Sequence, residues 1–241
     1  MAACRSLVPG PIVSPAPPDS VTYPETVAVI DFETTGISPG HGARATEIAA
    51  VLVQDGQIVG RFQSLMNAGA WVSPFITHLT GISNAMVQAA PPARAVMHEV
   101  MRFTRGCPLV AHNAAFDRGF WRAEGALAGC ESDPAHDFAC TVLLGRRLYP
   151  QAANHRLGTL AALHQLPDSG RAHRALADAQ TTAHLLLRMQ QDVAAQYGAQ
   201  LGAAAVTHAL LRKMQRAPRG KLGRCLAQAK RDARTPPTEP A

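Results

Sequence analysis

Two acidic residues, Asp31 and Glu33, stand one residue apart at the end of the apolar run TVAVIDFE. On a β-strand, side chains at positions i and i+2 project from the same face, about 7 Å apart along the chain. Two ionised carboxylates placed so close repel each other unless a cation lies between them. Because oxygen ligands favour hard divalent ions such as Mg²⁺ or Mn²⁺, the pair is a candidate metal site. The alternative interpretation is two solvated acids at an exposed strand end.

Two further acidic residues stand at similar structural transitions. Asp117 lies in HNAAFD, where the short apolar segment PLVAH turns into a helix, and α/β sheets collect ligands at the carboxyl ends of their strands. Asp178 lies in HRALADA, five residues after His173. If His173 sits in the loop before the helix, it reaches the end that Asp178 faces, and histidine is suited to take a proton near neutral pH. Taken alone, Asp117 and Asn113 are better explained as a first-turn acid and a helix cap than as a functional site.

Apolar patterning predicts the elements that must bring these residues together. Three strands come first, at 26–33, 47–54 and 57–67, and the turn signal Asp55-Gly56 makes the last two an antiparallel hairpin. A short buried strand is expected at 108–112. Helices are predicted at 73–81, 91–106, from 113 onward, at 139–148, 156–166 and 170–190, and within GAAAVTHALLRKM. This order predicts an α/β fold, with a mixed sheet flanked by helices.

Composition limits the class of protein. The chain has 241 residues, of which 47% are hydrophobic and 17% charged, as in globular proteins. No apolar run approaches the ~20 residues that a bilayer requires, so we expect no membrane association. The five cysteines form no Cys-x-x-Cys pair, which argues against a disulfide framework or a zinc knuckle and favours the cytoplasm. Residues 1–24 are proline-rich and without periodicity, so we predict a flexible leader there and no secretory signal.

Positive charge is concentrated in the C-terminal segment. The formal net charge is +6, and nine of the 23 Lys and Arg residues lie from Arg212 onward, against two of the 17 acidic residues. The remainder of the chain is therefore almost neutral. A basic segment of this kind can contact phosphates, or it can be a solvated tail that aids solubility.

The three acidic segments together are far more specific than each alone. Asp-x-Glu-Thr-Thr-Gly, His-Asn-x-x-Phe-Asp and His-x-x-x-x-Asp, in this order, resemble the motifs of the DEDD exonuclease superfamily, in its DEDDh branch with a histidine in the third motif. Within that superfamily, the motifs most resemble those of bacterial proofreading epsilon subunits of DNA polymerase III and of RNase T. The resemblance covers residues 25–190. It implies a ribonuclease H-like fold, in which a mixed five-stranded sheet begins with three antiparallel strands and is flanked by helices.

The resemblance also implies a role for each motif residue. Asp31 would bridge two divalent cations, Mg²⁺ or Mn²⁺. Glu33 and Asp178 would hold the cation that activates water, and Asp117 would support the other one. His173 would be the general base that deprotonates the attacking water.

Five further positions are candidates for substrate binding by the same resemblance. Thr34, Thr35 and Gly36 would line the 3′-terminal nucleotide, since a glycine lets the backbone approach closely and threonines offer donors. Asn113 and Phe116 are weaker candidates for contacts with the strand. Phe116 is also well suited to the core.

The function implied is a metal-dependent 3′–5′ exonuclease of the proofreading or repair type. It would hydrolyse the 3′-terminal phosphodiester of DNA and release nucleoside 5′-monophosphates. One alternative is an RNA-trimming 3′–5′ exoribonuclease, and another is a non-catalytic module that binds nucleic-acid ends or a polymerase. The expected partners are single-stranded or frayed 3′ ends of DNA, with RNA as the alternative, and a DNA polymerase catalytic subunit. Residues 25–190 would form the exonuclease domain, and 191–241 a helical and then basic extension.

Overall fold

The structure is a computed structural model, which describes residues 25–201, 205–218 and 220–234. The predicted leader at 1–24 lies outside the described residues. Within them, no helix is long and apolar enough to cross a membrane.

A five-stranded sheet with the order β3-β2-β1-β4-β5 forms the centre of the fold. Its strands are β1 (Val27–Thr34), β2 (Ala45–Gln54), β3 (Gln57–Leu65), β4 (Leu109–Ala111) and β5 (Phe138–Cys140). The first three strands pair antiparallel, whereas β4 and β5 run parallel to β1. Asp55 and Gly56 both adopt positive φ at the β2–β3 turn, as a two-residue hairpin requires. The predicted mixed sheet, with its three leading antiparallel strands, is therefore confirmed.

Helices cover both faces of this sheet. They are α1 (Pro74–Thr80), α2 (Asn84–Ala89), α3 (Ala93–Phe103), α4 (Ala114–Ala128), α5 (Thr141–Leu148), α6 (Leu157–Leu163), α7 (Ala175–Leu201), α8 (His208–Met214) and α9 (Leu222–Arg234). One apolar core joins the sheet to α3 and α4, and a second joins the opposite face to α5–α9. The central strand β1 contributes to both cores because its side chains alternate. Ala28, Ile30 and Phe32 face α3 and α4, whereas Val27 and Val29 face α7.

Two helix predictions need correction, and one short helix was missed. The helix expected at 139–148 begins only at Thr141, because Phe138–Cys140 pairs with β4 as the edge strand β5. The helix expected from 170 begins at Ala175, because His173 has a φ of 60° and cannot continue a right-handed helix. The short helix α2 was not predicted at all. In contrast, Ser73 caps α1 and Gly81 ends it, as expected.

The C-terminal helices close the free edge of the sheet. Gln215, at the end of α8, accepts a hydrogen bond from the Cys140 amide (2.6 Å) and donates one to the Phe138 carbonyl (3.4 Å). The Gln215 amide therefore takes the place of a neighbouring strand beside β5, where unpaired backbone groups would otherwise be exposed. Leu211 of α8 and Leu226 of α9 are fully buried against α7 and the sheet. Helix α8 and the first part of α9, up to Leu226, thus pack as part of the same core.

Candidate active site

The alternation of β1 decides where the first two carboxylates point. Asp31 and Glu33 share the strand face of Val27 and Val29, which is the face that α7 covers. Glu33 lies directly opposite Glu47 in the β1–β2 register and is only 8% exposed, while Asp31 is half-buried. Both carboxylates therefore project into a space enclosed by the sheet and the start of α7.

Asp117 reaches the same space from the parallel strand β4. Asn113 adopts a left-handed φ of 65° between β4 and α4, a turn that Asn tolerates better than most residues. This turn sets α4 beside the end of β1. The Asp117 Oδ1 atom accepts a hydrogen bond of 3.2 Å from the Phe32 amide, which lies between Asp31 and Glu33 in the chain. Asp117 is almost fully buried, and Asn113 makes no side-chain cap bond.

The third segment supplies His173 and Asp178 from the start of α7. Asp178 lies in the first turn of this helix, and its Oδ2 atom accepts a hydrogen bond of 3.1 Å from the His173 amide. This bond folds the loop back over the helix end, so that the exposed His173 ring and Asp178 reach Glu33. The candidate ligand atoms of Glu33, His173 and Asp178 all lie within 4.8 Å of one another.

The electrostatics of this cluster favour bound cations. Burial and then repulsion from Asp117, Asp178 and Glu33 raise the pKa of Asp31 well above its usual range. Burial raises the pKa of Glu33 to about 8, with Asp178 and Glu47 adding to the effect. Burial likewise raises the pKa of Asp117 to about 8 and that of Asp178 above its ordinary value. Four enclosed carboxylates of this kind are the oxygen-only ligand set that Mg²⁺ and Mn²⁺ favour, so the residues present fit such ions.

A further buried carboxylate near the cluster, that of Glu47, is paired with an arginine side chain, and the sequence interpretation missed this pair. Its side chain accepts hydrogen bonds from Arg174 Nη2 (2.7 Å) and Nε (3.1 Å), from the Ala175 amide (3.0 Å) and from Gln63 (2.7 Å). Although burial raises the pKa of Glu47, these hydrogen bonds outweigh burial and the pKa is lowered overall. The ion pair fastens the start of α7 to β2, directly after His173. In the sequence, this pair was indicated by the acidic residue at the start of the apolar run EIAAVLVQ.

The Thr-Thr-Gly segment at the end of β1 is held by hydrogen bonds to backbone groups of the same chain. The Thr34 hydroxyl donates to the Gly36 carbonyl (2.6 Å), and Thr35 Oγ1 accepts from the Arg44 amide (3.0 Å). Among the residues that the structure describes, the Thr35 hydroxyl has no acceptor for its own hydrogen. A Cβ on Gly36 would lie 3.2 Å from the Ala43 side chain, so glycine is favoured there by close packing within the chain. Phe116 is half-buried, with its ring centroid 5.0 Å from that of Phe120.

A cleft of about 1150 Å³ opens from His173 and Asp178 and runs between α5, α6 and the turn after β4. His112 lies in its wall, with Nδ1 2.8 Å from the Thr141 hydroxyl and with Nε2 enclosed and without a partner among the described residues. Burial lowers the pKa of His112 to about 4, which keeps its ring neutral near pH 7. Arg146 and Arg156 also line the cleft.

Comparisons with known proteins agree with this geometry. Residues 28–186 match the exonuclease family named RNase_T. The chain is 40% identical over 173 residues to a PolC-type DNA polymerase III of Bacillus subtilis, which covers 70% of this chain and 12% of that protein. It is also 40% identical over 165 residues to the 3′–5′ exonuclease DinG of the same organism, covering 68% of this chain and 18% of DinG. The chain belongs to the exonuclease family.

A solved structure extends the similarity of this exonuclease-family chain to three dimensions. Exonuclease X in complex with 5′-overhanging duplex DNA shares 30% identity and gives a TM-score of 0.55, covering 68% of this chain and 90% of that one. The expected exonuclease family and the ribonuclease H-like fold are confirmed. The chain spans less than a fifth of the length of the two Bacillus relatives.

Proposed function

We propose that this chain is a metal-dependent 3′–5′ exonuclease that hydrolyses the 3′-terminal phosphodiester of DNA and releases nucleoside 5′-monophosphates. The observation that carries the proposal is the convergence of Asp31, Glu33, Asp117 and Asp178 with His173 at one end of the sheet. The relatives named DNA polymerase III and DinG, and the DNA complex of Exonuclease X, favour DNA as the substrate.

The carboxylates would hold two divalent cations. Asp31 would be a ligand to both, Glu33 and Asp178 would hold the one beside His173, and Asp117 would support the other. When bound, such ions stabilise the charges on the attacking and leaving oxygens of an in-line displacement. Without them the four carboxylates would repel the anionic phosphate, so the enclosed site is suited to substrate only with its charge neutralised.

His173 would act as the general base. Its ring is exposed, is held by a loop with left-handed backbone, and lies within 4.8 Å of Glu33 and Asp178 ligand atoms. From there a ring nitrogen can accept the proton of a water aligned by those two carboxylates. The Arg174–Glu47 ion pair would hold the loop in this position, because it anchors the next residue to β2.

The 3′-terminal nucleotide would lie against Thr34, Thr35 and Gly36, with Asn113 and Phe116 contacting the strand. Thr35 supports this role best, because its hydroxyl hydrogen is available. Asn113 is exposed at the turn beside Asp117, and the outer part of Phe116 is accessible. The partners proposed are single-stranded or frayed 3′ DNA ends and, by analogy with the PolC-type relative, a polymerase catalytic subunit. The division into 1–24, 25–190 and 191–241 and the cytoplasmic location stay predictions.

The test is digestion of 3′-labelled single-stranded DNA and RNA by the purified chain, with Mg²⁺, with Mn²⁺ and with excess EDTA. We expect metal-dependent release of 5′-mononucleotides from DNA and no release in EDTA. Activity that is unaffected by EDTA would contradict the two-cation proposal. Preferential digestion of RNA would replace the DNA substrate by the exoribonuclease alternative, and metal-independent binding without any release would favour the non-catalytic module.

A further inference from the structure

The direction in which a bound strand leaves the site can be inferred from how the site is enclosed. On one side, the end of α1 touches the loop before α7. The Arg171 guanidinium lies so close to Gly81 that a Cβ there would be 2.5 Å from Arg171 Nη1. This contact joins the two segments on that side of the site. On the other side, the cleft along α5 and α6 is open to solvent and is continuous with His173 and Asp178.

Fixed positive charge lines the open side. Arg146, in the last turn of α5, and Arg156, at the start of α6, are exposed and form part of the cleft wall. Because His112 is neutral near pH 7, these two arginines carry the permanent charge of that wall. Apart from Asp178, the acidic group in the lining is Asp168, which lies on the loop that leads to α7 and accepts a bond from the Gly170 amide.

The C-terminal helices, which contact α5, carry further exposed basic residues. Arg147 donates hydrogen bonds to the Ala217 carbonyl (2.7 Å) and to the Leu143 carbonyl (2.7 Å), and so ties α5 to the turn between α8 and α9. Arg216, the neighbour of Ala217, is exposed at this turn, and Lys221 and Arg224 are exposed just beyond it.

The basic residues of this region divide into two kinds. Residues 205–234 include nine Lys and Arg and a single acid, Asp232. Arg212 is engaged with Asp137, just as Arg147 is engaged with backbone carbonyls, so both serve the fold. Arg216, Lys221 and Arg224 instead face solvent. The basic residues at 212, 216, 221 and 224 lie beyond residues 28–186, the segment that matches the exonuclease family.

We propose that the strand on the 5′ side of the scissile linkage runs along the cleft and over the α8–α9 turn, with Arg146, Arg156 and Arg216 contacting its phosphates. This inference rests on the proposed exonuclease function and adds a route and a phosphate-binding role for the C-terminal helices. A groove that tracks a backbone with cations binds single strands with little sequence preference. Such contacts release counterions, so each gives a slope of roughly −0.7 in a plot of log affinity against log salt.

Truncation cannot test the proposal, because Leu211, Met214 and Leu226 belong to the core. The test is therefore Arg146→Ala/Arg156→Ala/Arg216→Ala in the full chain, with Arg216→Ala alone to isolate the C-terminal helices. Affinity is measured by fluorescence anisotropy over a range of salt, with Mg²⁺ present. The probe is a labelled DNA single strand whose 3′-terminal linkage cannot be hydrolysed. The matched control removes three exposed arginines from α3 and α4, on the opposite face of the sheet, at positions 94, 102 and 122.

We expect the triple variant to reduce the magnitude of the salt slope by about 2 and the single variant by about 0.7, with the control slope equal to that of the wild type. Equal slopes for the triple variant and the wild type would overturn the proposal. A slope change for the triple variant but not for Arg216→Ala would overturn the part assigned to the C-terminal helices. Turnover of an ordinary strand by the wild type is measured in parallel. Because the slopes do not depend on hydrolysis, a failure of the proposed function is distinguishable from a failure of the strand route.

Discussion

Replacing Glu33 by Gln should stabilise the metal-free protein while it removes activity. Glu33 is 8% exposed, and its pKa is raised from 4.5 to about 8, chiefly by burial. Because the pKa in the folded state is the higher one, the protonated carboxyl favours folding fully below about pH 4.5. That contribution is then lost as the pH rises towards 8. One such group lowers the free energy of unfolding by about 1.4 kcal/mol per pH unit within this window.

Between about pH 5 and about pH 7 the wild type should therefore lose roughly 1–3 kcal/mol through Glu33 alone. Gln has nearly the same shape as Glu and does not titrate. The free energy of unfolding of Glu33→Gln should therefore fall less than that of the wild type between these two pH values, and the difference should be roughly 1–3 kcal/mol. The remaining carboxylates should also repel one another less, since Glu33 contributes to the raised pKa of Asp31.

Urea denaturation in EDTA at the two pH values measures this difference. Glu99→Gln is the matched control, because Glu99 is exposed on α3 and away from the cluster. Addition of Mn²⁺ should stabilise the wild type at about pH 7 and have a smaller effect on Glu33→Gln, since a ligand is lost. Parallel pH dependence of the wild type and Glu33→Gln in EDTA would refute the reasoning that the site is a cluster of enclosed, mutually repelling carboxylates.

Two further variants test the loop before α7. His173→Ala should lower turnover by roughly 10²–10⁴-fold while Mn²⁺ binding, followed by calorimetry, is largely kept; near-normal turnover would contradict the general-base role. Glu47→Gln should leave the Arg174 guanidinium without its carboxylate and destabilise the chain by about 2–4 kcal/mol in urea denaturation, less than for a fully buried pair because Arg174 is 32% exposed. Turnover should fall with it, because the loop that carries His173 loses its anchor. Gln63→Ala, which removes a neutral partner of Glu47, is the control and should cost about 1 kcal/mol.

The sequence by itself predicted the candidate residues of the site. Asp31 and Glu33 had to share one strand face, since side chains on a strand alternate, and together with the two later acidic segments they predicted a cation site. Local turn chemistry also settled the β2–β3 hairpin at Asp55-Gly56 and both ends of α1. These features depend on neighbours in the chain, so local rules suffice to predict them.

Only the tertiary structure decided which groups meet. The three-residue strand β5 is too short to show a period, and its identity depends on pairing with β4. Asp117 reaches β1 through a bond to the Phe32 amide, 85 residues away in the chain, and Glu47 meets Arg174 across 127 residues. The sequence could not tell that Glu47, unlike Glu33, would form an ion pair with an arginine side chain, that of Arg174.

The basic C-terminal segment shows the same division. Its charge was evident from composition, and both a phosphate-binding role and a solvated tail fitted that charge equally well. Packing assigns Leu211 and Leu226 to the core, Arg212 to an ion pair with Asp137, and Arg216 to the exposed surface. The number of basic side chains is a property of the sequence. Whether each of them faces solvent or the interior depends on which helix faces are buried. That burial is decided by long-range contacts with α7 and β5.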